Sequence, residues 1–203
     1  MLSNNADFTK MKTIAFATSN DHKMEELRHI LPQYKILGLK DLGIQEEIHE
    51  TGSTLEENAL IKAEFLFNKT GQSSFSEDTG LEVDALNGAP GVHTARYAGV
   101  SRNPEANMDL LIDNLKENSD RSAQFRTVIA YKSANEVRIF EGIVRGQIAK
   151  TKSGQGGFGY DPVFIPDGYN NTFAELDQTI KNQISHRAKA VKYLLEYLIL
   201  RSD

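Results

Sequence analysis

Four polar groups in this chain have the residue types and spacing for chemistry on an anion. Thr18-Ser-Asn20 with Lys23 follows a short apolar run and opens an amphipathic segment. Glu50, Glu77 and Asp78 form an acidic set. Ser153 to Pro162 is the most glycine-dense stretch and contains Phe158-Gly-Tyr-Asp161. Ser185-His-Arg187, with Lys181 just before it, opens the last amphipathic segment. The first and last groups lie at expected helix N-termini, where free N–H groups and the positive end of the dipole meet. Both also supply Lys or Arg, which bind phosphate by point charge and forked hydrogen bonds. Carboxylates beside a polyphosphate repel it unless a cation lies between them. Hard oxygen ligands together with phosphate point to Mg²⁺, held by one or two carboxylates plus water. The glycine stretch lacks the Gly-Lys-Ser/Thr that closes a P-loop, but Phe158 and Tyr160 offer rings on which a base can stack. Together these residues favour a Mg²⁺-dependent nucleotide-processing enzyme. Each also has a plainer reading: the glycines as turns, Glu77-Asp78 as a solvated pair at a strand end, and His186 as a cap or surface residue.

The elements that must position these groups follow from the apolar pattern. Thr13 to Ala17 has the length of a buried strand. Thr18, Ser19 and Asn20 are helix-capping residues, and Met24, Leu27, Ile30 and Leu31 form one face of a helix that Pro32 stops. Tyr34 to Leu39 reads as a second strand, followed by an acidic loop whose Glu46 and Glu47 face solvent. Thr54 and Glu57 form a capping box. Ala59, Ala63, Leu66 and Phe67 give that helix its buried face, with Lys62 beside the stripe. Ser73 to Ser76 reads as a short strand ending at Glu77-Asp78, and Leu81 to Asp84 as another. Asn87 to Gly91 is a turn cluster, and His93 to Gly99, with Arg96, is irregular. Asn103-Pro104 caps a helix bearing Met108, Leu111, Ile112 and Leu115. Phe125 to Lys132 and Val137 to Thr151 read as antiparallel strands joined at Ser133-Ala-Asn135, and Val163 to Ile165 as a further strand. Lys181 to Arg187 leads into a last helix buried through Val191, Leu194, Leu195 and Leu198.

The chain of 203 residues suits one domain, or one domain in two lobes. Hydrophobic residues at 39% and charged residues at 25% are enough for a core and argue against global disorder. A net charge of −5 argues against a general nucleic-acid footprint while leaving room for a local basic pocket. The absence of cysteine excludes disulfides, thiolate metal sites and Cys nucleophiles. No apolar run reaches the roughly 18 residues of a membrane span. With no apolar signal core at the start, the cytoplasm is the expected location. Residues 1–11 are polar and read as an extension, leaving 12–203 as the domain.

Seven motifs, in order, resemble one family. They are Thr-Ser-Asn-x-x-Lys-x-x-Glu (18–26), Glu-Thr-Gly-x-Thr-x-x-Glu-Asn-Ala-x-x-Lys-Ala (50–63), Glu-Asp-Thr-Gly-Leu-x-Val-Asp (77–84), Gly-Ala-Pro-Gly (88–91), Ala-Arg-Tyr (95–97), Gly-Gly-Phe-Gly-Tyr-Asp-Pro (156–162) and Ser-His-Arg (185–187). The chain is similar in these to the inosine/xanthosine triphosphate pyrophosphatases. The resemblance implies an α/β fold: a long mixed β-sheet with flanking helices, and two lobes with the active site in the cleft between them. It also implies a homodimer and Mg²⁺-dependent hydrolysis of ITP, dITP or XTP to the monophosphate and pyrophosphate, which clears deaminated purines from the nucleotide pool. Carried onto this sequence, it makes Thr18, Ser19, Asn20 and Lys23 the triphosphate loop. Glu50 and Asp78 become metal ligands, and Asp78 the general base as well. Lys62 is a phosphate contact, and Thr79 adjoins the substrate. Phe158, Gly159, Tyr160 and Asp161 form the base loop, with Phe158 as the stacking ring. Lys181, His186 and Arg187 contact base and phosphate, and Arg96 is a further candidate contact. Many bacterial members carry Gly where Ser19 stands and Asp where Glu77 stands, so Glu77 receives no metal role.

Two other readings belong beside this one. A Maf-like pyrophosphatase acting on modified pyrimidine nucleotides, dTTP or UTP would share the architecture, but the Gly-Gly-Phe-Gly-Tyr-Asp and Ser-His-Arg motifs argue against it. A nucleotide sensor without turnover would not need Lys23, Lys62 and Asp78 together.

Overall fold

Residues 12–200, described by a computed structural model, build a curled mixed sheet with helices on both faces. The residues before Lys12, including the polar opening, lie outside the described residues. In chain order the elements are β1 (Lys12–Phe16), α1 (Asp21–Ile30), β2 (Tyr34–Leu37), α2 (Leu55–Thr70), β3 (Ser74–Val83), β4 (Pro90–Gly91), α3 (Pro104–Asn114), β5 (Ser122–Lys132), β6 (Val137–Ile148), β7 (Phe164–Pro166), α4 (Gln178–Ile184) and α5 (His186–Ile199). The strand order is β2-β1-β3-β5-β6-β7, with β4 also on β3. β1 runs parallel to β2 and β3, and the remaining pairs are antiparallel. No described helix is long and apolar enough to cross a membrane.

The long strands tie two lobes together. β3, β5 and β6 have 10, 11 and 12 residues, well beyond the usual strand of about 5–6. Each feeds both of the large apolar clusters. Phe75 and Ile129 join Phe16, Leu27, Leu31, Val191 and Leu194 in one. Leu81, Val83, Phe125 and Val144 join Met108, Leu111, Leu115 and Phe164 in the other. The middle of β3, between Phe75 and Leu81, carries the polar residues.

Several expected boundaries shift, each for a local reason. The two short strands read at Ser73–Ser76 and Leu81–Asp84 are one continuous β3, paired with β5 from Ser74↔Lys132 to Val83↔Ala123. Asp78 therefore lies in mid-strand rather than at a strand end. The polar residues that hid the period are all partnered: Ser74 and Ser76 donate to the carbonyls of Ala63 and Ala59 in α2. The capping box closes one residue early. Thr54 Oγ1 accepts from the Glu57 N–H at 3.1 Å, but the Glu57 carboxylate takes the Ser53 N–H at 2.6 Å. Lys181 does not run into the last helix: it sits on α4, and Ser185 ends α4 and caps α5 by accepting from the Ala188 N–H. β2, β5, β6 and β7 differ from their readings by a few residues at their ends.

Gly142 on β6 sets how closely α5 approaches the sheet. A Cβ there would overlap the His186 carbonyl and press on the Ala190 N–H. Overpacking of this kind costs about 1–3 kcal/mol. Gly142→Ala is expected to lower Tm by several degrees, and also kcat/KM, because α5 carries His186 and Arg187; thermal melting and steady-state kinetics check both.

Candidate active site

The cleft opens where β3 loses a neighbour. β1 pairs with it only as far as Phe75, with a last bond from the Ala17 N–H to the Phe75 carbonyl at 2.8 Å, and β4 begins at Leu81. Between these points, among the described residues, that edge of β3 has no strand beside it. Thr18, Ser19 and Asn20 follow directly from the end of β1. Asn20 caps α1, its side chain accepting from the Lys23 N–H at 3.1 Å, so the helix N-terminus faces the open edge.

Strand alternation sends Glu77 and Asp78 to opposite faces of the sheet. Asp78 meets α2, where its Oδ1 accepts from Lys62 Nζ at 3.0 Å. Glu50 accepts from the same ammonium at 3.2 Å. The loop bearing Glu50 is fixed by Asn58, fully buried, whose Oδ1 accepts from the Gly52 N–H at 2.8 Å. A Cβ on Gly52 would collide with that side chain. Lys62 is buried, contrary to its reading as a residue beside the buried stripe. Two carboxylates converging on one ammonium form a hard-oxygen donor pair. That suits Mg²⁺, which takes one or two protein carboxylates and completes its shell with water and substrate phosphate. Among the described residues no cluster of three His, Asp or Glu side chains could hold a metal without such help.

Glu77 meets α5 and is not solvated: it is 2% exposed and Asp78 8%. The Glu77 carboxylate accepts from Arg187 Nε at 2.8 Å and Nη2 at 2.7 Å, and Lys23 Nζ lies 3.1 Å away. Arg187 also pairs with Glu26, which in turn accepts from Lys181 Nζ at 2.7 Å. Lys181 completes the chain with Asp161 at 2.7 Å. Burial pushes the Glu77 carboxyl upward, but Arg187 and then Lys23 outweigh it and hold it well below the usual range. Glu26 is depressed in the same way, burial being overcome by Arg187 and Lys181. For Asp161 burial prevails and raises the carboxyl despite Lys181. Burial, then Arg187 and Lys181, drives His186 well below its usual value, so the ring is neutral. That ring is buried rather than a surface cap. It stacks on Phe125 at 4.6 Å, and its Nδ1 has no partner in the described structure.

The glycine stretch presents one ring. Gly157 and Gly159 take φ of 72° and 66° on either side of Phe158, a left-handed backbone that suits glycine. A side chain on Gly157 would run into the Asp161 carboxylate, which accepts from the Phe158 N–H at 2.7 Å. Lys181 Nζ and the Arg187 guanidinium lie 5.3 and 5.6 Å from the Phe158 centroid. Tyr160 turns inward instead: it is 3% exposed and donates to the Thr94 carbonyl. It is packed in the core, which argues against the stacking role read for its ring.

One cavity of about 430 Å³ is lined by most of the residues singled out in the sequence: Thr18, Ser19, Asn20, Lys23, Glu50, Lys62, Asp78, Thr79, Arg96, the 158–161 loop, Lys181, His186 and Arg187, while Glu77 lies behind its wall. Its size suits a small organic ligand. Thr79 reaches it with its hydroxyl 2.7 Å from that of Thr127. Sequence reading assigned no role to Glu26, Asn58 or His22. The signal for Glu26 was a carboxylate on the buried face of α1 between Met24 and Leu27, where a charge needs a partner.

Comparison with known proteins shows the family and the fold. A model of the Ham1 family matches residues 14–197. The dITP/XTP pyrophosphatase of Porphyromonas gingivalis is 50% identical over 93% of this chain and 98% of its own length. That of Christiangramia forsetii is 47% identical over 91% and 98%. The solved Ham1 protein of Staphylococcus aureus superposes with a TM-score of 0.84 at 41% identity, covering 92% of this chain and 98% of its own.

The depressed Glu77 carboxyl makes stability depend on pH in one direction. A group lowered from its ordinary 4.5 on folding contributes fully above that value, and the contribution is lost as pH falls below it. Tm is therefore expected to drop as pH is lowered from about 4.5. Glu77→Gln leaves Arg187 short of a partner and is expected to cost about 3–5 kcal/mol at neutral pH, with a shallower acid limb. Melting curves of both proteins from neutral to acid pH check this.

Proposed function

The chain belongs to the Ham1 family, and from that premise we propose that it hydrolyses ITP, dITP and XTP to the monophosphate and pyrophosphate with Mg²⁺. Its class is that of a nucleoside triphosphate pyrophosphatase acting on non-standard purines. The observation that carries the finer reading is the composition of this cavity. It holds an anion-binding turn and two carboxylates around a lysine at one end, and a ring-bearing loop with buried donors at the other. The same reading includes a cytoplasmic homodimer.

The triphosphate lies toward the α1 N-terminus, with Thr18, Ser19, Asn20, Lys23 and Lys62 offering backbone N–H groups, hydroxyls and two ammonium charges. Glu50 and Asp78 would hold Mg²⁺, which supplies charge neutralisation for the phosphates and the departing pyrophosphate. Lys62 donates to Asp78 Oδ1, which leaves Oδ2 to take a proton from water. As that proton moves to Asp78, the water oxygen bonds to the α-phosphorus and the bond to the bridging oxygen breaks, its electron pair leaving with pyrophosphate. Thr79, next along the strand, adjoins the reacting phosphate. Lys23 and Lys62 supply positive charge to balance what develops on the phosphates.

The base lies against Phe158, with Gly159 keeping the loop's backbone close and Asp161, Lys181, His186 and Arg187 around its edge. Inosine and xanthine carry an oxo acceptor at C6 where adenine carries an amino donor. Arg187, expected as a free donor, has its guanidinium engaged by Glu77 and Glu26. Lys181 is likewise engaged by Glu26 and Asp161, so the neutral His186 ring, with an unpartnered nitrogen, is the better candidate. Donors left unpaired against adenine make a costly mismatch. ITP and XTP are expected to exceed ATP in kcat/KM by at least about two orders of magnitude. A pyrophosphate-release assay with each nucleotide tests this, and comparable turnover of ATP overturns it.

Asp78→Asn removes the basic oxygen and keeps the shape. Turnover is expected to fall by about 10²–10⁴-fold, as for a lost general base. Substrate still binds, since all four cations of the site remain. The exposed position expected for Asp78 is not found, yet folding should survive, because Glu50 still pairs with Lys62. Measuring kcat, ITP affinity by calorimetry and Tm separates the roles: normal turnover removes Asp78 as the base, and unfolding makes it structural.

A further inference from the structure

The His22 ring lines the cavity and has no part in that scheme. His22 stands in the first turn of α1, between the Asn20 cap and Lys23. It is exposed, and its imidazole lies parallel to the Phe158 ring, with centroids 5.3 Å apart and planes 11° apart. We propose that His22 is the second wall of the base site, so that the purine is held between the His22 and Phe158 rings.

Three features favour this over a surface pairing. The first is geometry: the Phe158 ring lies nearly parallel to that of His22, the orientation a flat base would need on each side. The second is the contrast between the neighbours of Phe158. Lys181 and Arg187 also lie near its ring, but they are buried and tied to Glu26, Glu77 and Asp161. His22 alone of these is exposed and free to move aside. The third is freedom on the loop side, since Phe158 is flanked by two glycines in left-handed conformation and a Cβ at Gly159 would meet nothing within 4 Å. A purine between two rings needs about 7 Å from ring to ring, two van der Waals contacts in series, so the pair has to part by roughly 2 Å. The consequence is that the first turn of α1 reads both ends of the nucleotide. Asn20 and Lys23 face the phosphates, and His22 covers the base.

Stacking is tolerant of base identity because every base has a π-face. A wall of this kind therefore strengthens binding of all purines alike and leaves discrimination at C6 to the hydrogen-bonding residues. This inference rests on the nucleotide triphosphatase reading above. His22→Ala and His22→Phe are compared with the wild-type protein for KM and kcat on ITP, XTP and ATP. Inorganic pyrophosphate, which has no base, is titrated as an inhibitor of each. For His22→Ala, KM for ITP and XTP is expected to rise roughly tenfold. The ITP-to-ATP ratio of kcat/KM and the pyrophosphate inhibition constant stay as in the wild type, and His22→Phe restores KM. Unchanged KM in His22→Ala overturns the proposal. So does an equal weakening of pyrophosphate inhibition, which would assign His22 to the phosphate turn. Failure of His22→Phe to restore KM, or a changed ITP-to-ATP ratio, overturns stacking as its role. Absence of ITP turnover by the wild-type protein overturns the parent reading as well, and is seen before any variant is made.

Discussion

A buried guanidinium governs this structure. Arg187 is 2% exposed, and a full charge in that position is tolerable only if it is paired and hydrogen-bonded on every side. Glu77 takes two of its nitrogens and Glu26 the third. These carboxylates come from the middle of the sheet and from α1, and Arg187 from α5, so satisfying one charge fixes three elements against one another. Lys181 and Asp161 extend the chain to α4 and to the glycine stretch, and Lys23 ties it to the α1 N-terminus. The residues proposed to surround a base and those proposed to face phosphate are thus set by the same ion pairs. Replacing such a cluster with apolar groups often costs a protein nothing in stability. Its retention here is better explained by the need for charged groups at fixed positions in the cleft.

The sheet makes the arrangement possible through one property, the period of two. Glu77 and Asp78 are adjacent in sequence yet face opposite layers, one toward α5 and the other toward α2. Asp78 and the partners of Glu77 can border one cleft because β1 leaves β3 after Phe75 and β4 joins it at Leu81. The bare stretch of edge lets groups from both faces reach one cavity. Pairing with β5 on the other edge is continuous through the stretch, which suits residues that must hold position during a reaction.

Much of this could be read from residues alone, and the exceptions share a cause. Helix caps at Asn20, Thr54, Asn103 and Ser185 were legible because a capping side chain acts within a few residues of itself. The apolar faces of α1, α3 and α5 were legible by their spacing. The continuity of β3 was not. Ser76, Glu77, Asp78 and Thr79 look like a loop when taken locally, and their partners lie on α2, α5 and β5, far along the chain. Glu26 was hidden for the same reason: its partners Lys181 and Arg187 are more than 150 residues away. The pairing of His22 with Phe158 is likewise visible only once the fold brings the two together. Residue types told which side chains could act. Which of them act on substrate and which hold the others in place depends on contacts across the sheet.

The charge of the site carries the argument one step further. The ion-paired core of the cavity contains four cations, Lys23, Lys62, Lys181 and Arg187, and five carboxylates, Glu26, Glu50, Glu77, Asp78 and Asp161. Even with burial favouring the protonated form of Asp161, this core holds no surplus of positive charge. A nucleoside triphosphate brings several negative charges into a space whose lysines are already matched. Its binding therefore requires that Lys23 and Lys62 turn from their carboxylates toward phosphate, or that an added cation take over those carboxylates. Glu50 and Asp78 would hold a divalent ion, which would screen these carboxylates from the substrate and free Lys62 to face it. The Mg²⁺ of the proposed reaction would fit this charge balance, with Lys62, set between two acids, marking the place it would take.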